Sequence, residues 1–147
     1  MRTLQTWRDN KNIYSVDMMF AYLNSNKHPV ETLPLEELEP QLKELVWGDW
    51  SPMTVLEKMD AKKYSENAER IKKADLSYPI IVTGRHRIVD GFHRLAKAYF
   101  EGKKTIKVQV FDADLMRKFL LVKGLDFVKL NEMKIHEVLE LWTKRFC

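Results

Sequence analysis

Two apolar runs, Ile80-Ile81-Val82 and Ile88-Val89, stand close together in the chain with a polar stretch containing Gly84 between them. Short apolar runs bounded by turn residues predict buried strands, so this region reads as a hairpin. From Asp90 the period changes. Phe92, Leu95, Ala96 and Tyr99 recur at i, i+3, i+4 and i+7, which predicts a helix with one buried face, and Glu101-Gly102 stops it. Residues 105–111, TIKVQVF, alternate instead, pointing Ile106, Val108 and Val110 inward along a half-buried strand.

Elsewhere the pattern is more broken. Residues 13–24, IYSVDMMFAYLN, predict a short helix whose apolar surface is Met18, Met19, Ala21, Tyr22 and Leu23, a lid for the core. Residues 30–38 read as a short strand with a proline-marked bend. Ser51 followed by Pro52 marks a helix start at 52, and Ser65 is the expected cap of a second helix burying Ala68, Ile71 and Leu76. Helices near 113–123 and 131–145 complete the chain, the last with Ile135, Val138, Leu139 and Trp142 on one side. The mixture predicts an α+β fold.

A length of 147 residues suits a single domain over 1–147 that buries a core without metal or disulfide staples. Cys147 is the one cysteine, so neither an intramolecular disulfide nor a cysteine-based zinc site can be built, and a reducing, cytoplasmic setting is expected. Residues 1–12 lack the apolar run of a secretory signal, and no stretch approaches the roughly 18 apolar residues of a membrane span, so no membrane partner is expected. Against 25 basic residues stand 21 acidic ones, spread along the chain, so the net charge of +4 makes only a weak case for DNA. Lys72, Lys73, Arg85, Arg87, Lys103 and Lys104 are the residues a basic binding stripe would use, and are otherwise solvated charges. Trp7, Trp47, Trp50 and Trp142 suit core or rim positions, or a partner interface.

The chemistry concentrates in TGRHRIVDGFHRLAKAY, residues 83–99, where Gly-x-His-Arg occurs twice. The first copy, Gly84 to Arg87, falls at the hairpin tip, where glycine relieves the turn and the basic side chains are solvated. The second, Gly91 to Arg94, marks a strand running directly into a helix. Its first N–H groups are then orphan donors at the positive end of a helix dipole, a setting that attracts phosphate oxygens. Gly91 would let a ligand approach without a Cβ in the way, and His93 and Arg94 would add donors, with Lys97 on the side of His93. Asp90 has two readings. Either it is the N-cap, accepting from Phe92 or His93, or it holds a Mg²⁺ ion that bridges to the phosphates.

These residues resemble a family. The run YPIIV…GRHRIVDGFHRLAKAYFEGKKTIKVQVF is similar to the core of the ParB/sulfiredoxin superfamily, from about Leu33 to Phe111, leaving N- and C-terminal helical extensions. The resemblance implies a small mixed sheet with flanking helices, in which the strand-to-helix turn cradles nucleotide phosphates. Sulfiredoxins carry a pattern resembling Gly-Gly-Cys-His-Arg, whose cysteine does the chemistry. Here Phe92 takes that place, so sulfinic-acid reduction is not expected. Chromosome-partition ParB proteins usually carry Gly-Glu-Arg-Arg, which binds CTP, followed by a helix-turn-helix domain; the Glu-Arg pair is absent and residues 112–147 show no recognition helix. Free-serine kinases of the superfamily carry Asp-Gly-His-His-Arg, which differs from Asp90 to Arg94 only at Phe92. In them the aspartate, histidine and arginine work at the phosphates and a glutamate near the first strand is the general base.

Carried onto this chain, the resemblance implies phosphate binding by Gly91, Phe92, His93 and Arg94, metal binding by Asp90, and catalysis by Asp90 and His93 with Glu36 or Glu37 as base. Glu39 belongs to the same acidic cluster, of which at least two members are expected on an exposed face. The expected ligand is ATP, ADP or CTP with Mg²⁺, and the expected reaction is phosphoryl transfer to a small hydroxyl-bearing acceptor or to water. The alternatives are a non-catalytic nucleotide-sensing module that holds DNA or a protein, and a ParB-like nuclease, for which one aspartate and an unplaced glutamate are thin support.

Overall fold

Apolar runs pair as strands in two separate sheets. The computed structural model describes residues 4–9 and 12–122. In chain order these form β1 (Thr6–Asp9), β2 (Asn12–Ser15), α1 (Val16–Ser25), β3 (Glu31–Pro34), α2 (Leu35–Leu38), α3 (Pro52–Glu57), α4 (Ser65–Lys73), β4 (Ile80–Thr83), β5 (Ile88–Asp90), α5 (Phe92–Phe100), β6 (Thr105–Phe111), α6 (Ala113–Arg117) and β7 (Leu120–Val122), with 3-10 turns at Glu39–Lys43 and Lys62–Tyr64. The fold is α+β. Two compact units divide the chain, one from residues 1–28 with 111–147, the other from residues 29–110.

In the first unit β2 is the middle strand of three, antiparallel to β1 with Trp7 opposite Tyr14 and to β7 with Tyr14 opposite Leu120. The helix expected from residue 13 begins only at Val16, because Ser15 takes the N-cap and its Oγ accepts the Met18 N–H at 3.2 Å. Ile13 and Tyr14 are left to the strand, where both are buried. Met19 is buried as expected, whereas Ala21 is exposed. The helix expected near 113–123 also ends early, at Arg117. Asp112 caps it, and the apolar run Phe119-Leu120-Leu121 is buried, with the Phe119 carbonyl accepting the Ser15 N–H at 2.9 Å. Tyr22 meets Phe111 and Phe119 edge-on at 6.0 and 5.7 Å. The helix expected at 131–145 lies outside the described residues.

The second unit holds a four-stranded sheet in the order β3-β6-β4-β5. β3 and β6 are antiparallel with Leu33 opposite Ile106, and β4 and β5 are antiparallel with Ile81 opposite Asp90. The predicted strand at 30–38 stops at Pro34, which becomes the N-cap residue of α2. Ser51 caps α3 as expected, its Oγ accepting the Thr54 N–H at 3.2 Å, with Pro52 in the first turn. α4 starts one residue earlier than expected, with Tyr64 rather than Ser65 at the N-cap. Ala68 and Ile71 are buried and Leu76 partly so. On α5, Leu95, Ala96 and Ala98 are buried, and Phe92 and Tyr99 pack against the same core. Full burial of Leu95 contributes about 1.5–3 kcal/mol. Gly102, at a φ of 71°, ends α5 in a Schellman motif: its N–H donates to Tyr99 O and that of Lys103 to Ala98 O, both at 3.0 Å. Among the described residues no helix is long and apolar enough to cross a membrane.

Candidate functional site

β5 ends at Asp90, Gly91 is the N-cap with φ 121° and ψ 21°, and α5 begins at Phe92 with no side chain capping it. This is the strand-to-helix junction that the period change predicts. Gly91 is there for a packing reason: a Cβ at this position would lie 2.3 Å from Ile80 Cγ2. The direction that glycine leaves open is thus filled by β4, which corrects the expectation that it clears a path for a ligand. Asp90 is not the N-cap either. Its carboxylate meets Arg94 Nη2 at 3.3 Å, while Arg94 Nη1 donates to Pro79 O at 2.6 Å. The guanidinium is therefore held in place at the helix start, and with side-chain exposures of 26% and 17% the Arg94–Asp90 pair is less screened than a surface pair.

His93 is held from two sides. Its ring stacks on Trp47 with centroids 4.4 Å apart and planes at 19°, and Nε2–H donates to Asn67 Oδ1 at 3.0 Å. Burial, and then the charges of Arg70 and Arg94, push its pKa from 6.5 down to about 4. The ring is neutral at pH 7, so it carries no positive charge toward a phosphate. Lys97, expected beside it, reaches back to α4 instead, where Nζ donates to Lys72 O at 2.9 Å and Ala74 O at 2.7 Å. Phe92 keeps to the core-facing side.

The first Gly-x-His-Arg copy is more than a solvated tip. The left-handed residue of the turn is His86, with φ 61°, rather than Gly84. His86 Nδ1 is 2.6 Å from Glu37 Oε1, and its carbonyl accepts from Gln41 Nε2 at 2.7 Å. Gln41, buried, also accepts the Ile88 N–H at 2.9 Å, and Arg87 makes a two-pronged pair with Glu44 at 2.9 and 2.6 Å. Glu37, Gln41 and Glu44, at i, i+4 and i+7, thus clamp the hairpin turn. Glu36 and Glu37 are both exposed, as expected of that cluster, but Glu37 is committed to His86.

The structure brings together Asp90 and Arg94 around the turn at Gly91, and links neither Glu36 nor Glu37 to them by a hydrogen bond. Sequence reasoning missed Trp47, Asn67 and Pro79, the groups that hold His93 and Arg94. Their only signal is spatial, since each lies 15 or more positions from the residue it holds. Among the described residues no three His, Cys, Asp or Glu side chains are placed to hold a metal ion. The chain matches no family model, no curated protein and no solved structure.

Proposed function

We propose that residues 29–110 form a ParB/sulfiredoxin-like domain that binds a nucleotide through its phosphates at the start of α5. The order of strand, hairpin, Asp-Gly-x-His-Arg, helix and strand supports the resemblance. One observation carries the site. α5 begins uncapped at the end of β5, with the Arg94 guanidinium anchored beside it by Pro79 O. The amides of Phe92 and His93 serve as donors to the phosphate oxygens, and Arg94 supplies charge. Mg²⁺ fits this site only as an ion that arrives with the nucleotide, held mainly by phosphate oxygens and water, with Asp90 as the carboxylate the chain would add. It would supply neutralisation of phosphate charge.

The activity proposed for the site is phosphoryl transfer to a small hydroxyl-bearing acceptor or water, with the exposed Glu36 as the carboxylate left to serve as base. A second reading, a binding module without turnover, is favoured by the engagement of Glu37 with His86 and of His93 with Asn67. Thermal melting with ATP, ADP and CTP, each with and without Mg²⁺, tests the site itself. At a hundred times its Kd a nucleotide stabilises the fold by about 2.7 kcal/mol. Arg94→Ala abolishes that gain and Arg87→Ala keeps it. No gain with any nucleotide, or equal losses in the two variants, overturns the site. Phosphate release then separates the enzyme from the module, for which duplex DNA retention that collapses as salt rises is the expected signature.

A further inference from the structure

Three helices of the second unit end at one cavity of about 580 Å³. Leu56 and Glu57 close α3, Ile71 and Lys72 belong to the last turn of α4, and Phe100 and Glu101 stand at the end of α5. The cavity is a separate place from the start of α5, because nine helical residues at 1.5 Å put about 13 Å between the two ends. It owes nothing to the nucleotide reading.

Its apolar wall is formed by Leu56, Met59 and Ile71, and by Phe100, which is 64% exposed. On its rim stand Glu57 and Asp60, both exposed, whose side-chain carboxylates have no ion pair or hydrogen bond among the described residues. The two lysines that line the cavity have partners of their own. The Lys97 ammonium is taken by the carbonyls of Lys72 and Ala74, Lys72 Nζ is 3.7 Å from Glu69, and Glu101 is 4.0 Å from Lys103. Glu101 also lines the cavity, so three carboxylates stand there against the two lysines Lys72 and Lys97. A volume within the roughly 300–1,000 Å³ of small-molecule sites admits a compact ligand.

We propose that this cavity binds a small organic cation, an ammonium or guanidinium group joined to an apolar body, with the body against Leu56, Met59 and Phe100 and the cation facing Glu57 and Asp60. Three probes of one shape and different charge test it on the full chain by amide NMR titration: phenethylamine, 2-phenylethanol and 3-phenylpropionate. The amine shifts the amides of residues 56–60, 71–72 and 100–101 and binds about fivefold to tenfold tighter than the alcohol, with the carboxylate weakest. The double variant E57Q/D60N, on exposed positions, brings the amine to the level of the alcohol, and Phe100→Ser weakens both. Equal affinity for the three probes, no binding by any, shifts centred elsewhere, or an amine preference that survives the double variant each overturns the proposal.

Discussion

At Gly91 the backbone has a φ of 121° and the nearest atom to a built Cβ is 2.3 Å away on Ile80. Gly91→Ala therefore combines backbone strain with overpacking and is expected to cost about 2–4 kcal/mol in urea unfolding. Ile80→Ala does not rescue it, because the Ile80 Cβ that remains would lie 2.6 Å from the new methyl. His93 sets a second expectation. Unfolded, it takes up a proton near 6.5; folded, only near 4. Between those values the unfolded chain binds more protons, so this contribution is complete above about pH 6.5 and is lost as pH falls toward 4. The difference between wild type and His93→Gln in unfolding free energy should shrink by about 1–2 kcal/mol from pH 7.5 to pH 5. A His93 ring resonance titrating near 6.5 in the folded chain would refute this account.

Among the elements, the clamp of Glu37, Gln41 and Glu44 on the β4–β5 turn is graded by burial. Gln41→Leu leaves the Ile88 N–H and the His86 carbonyl without their partner and is expected to cost about 2–3 kcal/mol. Glu44→Gln, on a half-exposed pair, costs less than about 1 kcal/mol in the same assay. The elements themselves were legible wherever their cause is local. The spacing of Phe92, Leu95, Ala96 and Tyr99 marks α5, the alternation of 105–111 marks β6, and Ser51-Pro52 marks the start of α3. Ile13 and Tyr14 fit a helical pattern locally and become strand by pairing on both sides, with Arg8 and Trp7 close by and with Val122 and Leu120 far along the chain. The candidate site was legible as a junction and not as a constellation. Asp90 to Arg94 are contiguous, whereas Pro79, Asn67 and Trp47 reach them only through packing.

At the scale of the whole molecule, the second unit is one continuous stretch, 29–110, and the first is drawn from both flanks. A continuous stretch with its own buried core is expected to fold when expressed alone. A fragment of residues 29–110 should give a cooperative thermal melt and keep the nucleotide response of the full chain. Non-cooperative melting would mean that the flanks complete its core. The entry and exit of this stretch are neighbours, because Glu31 on β3 lies opposite Val108 on β6 in an antiparallel ladder. Held at residues 29 and 110 in an optical trap, the fragment is loaded like a zipper: force falls on the Glu31–Val108 end first and peels β3 from β6 one rung at a time. It should open at low force, well below that of a ladder pulled in shear.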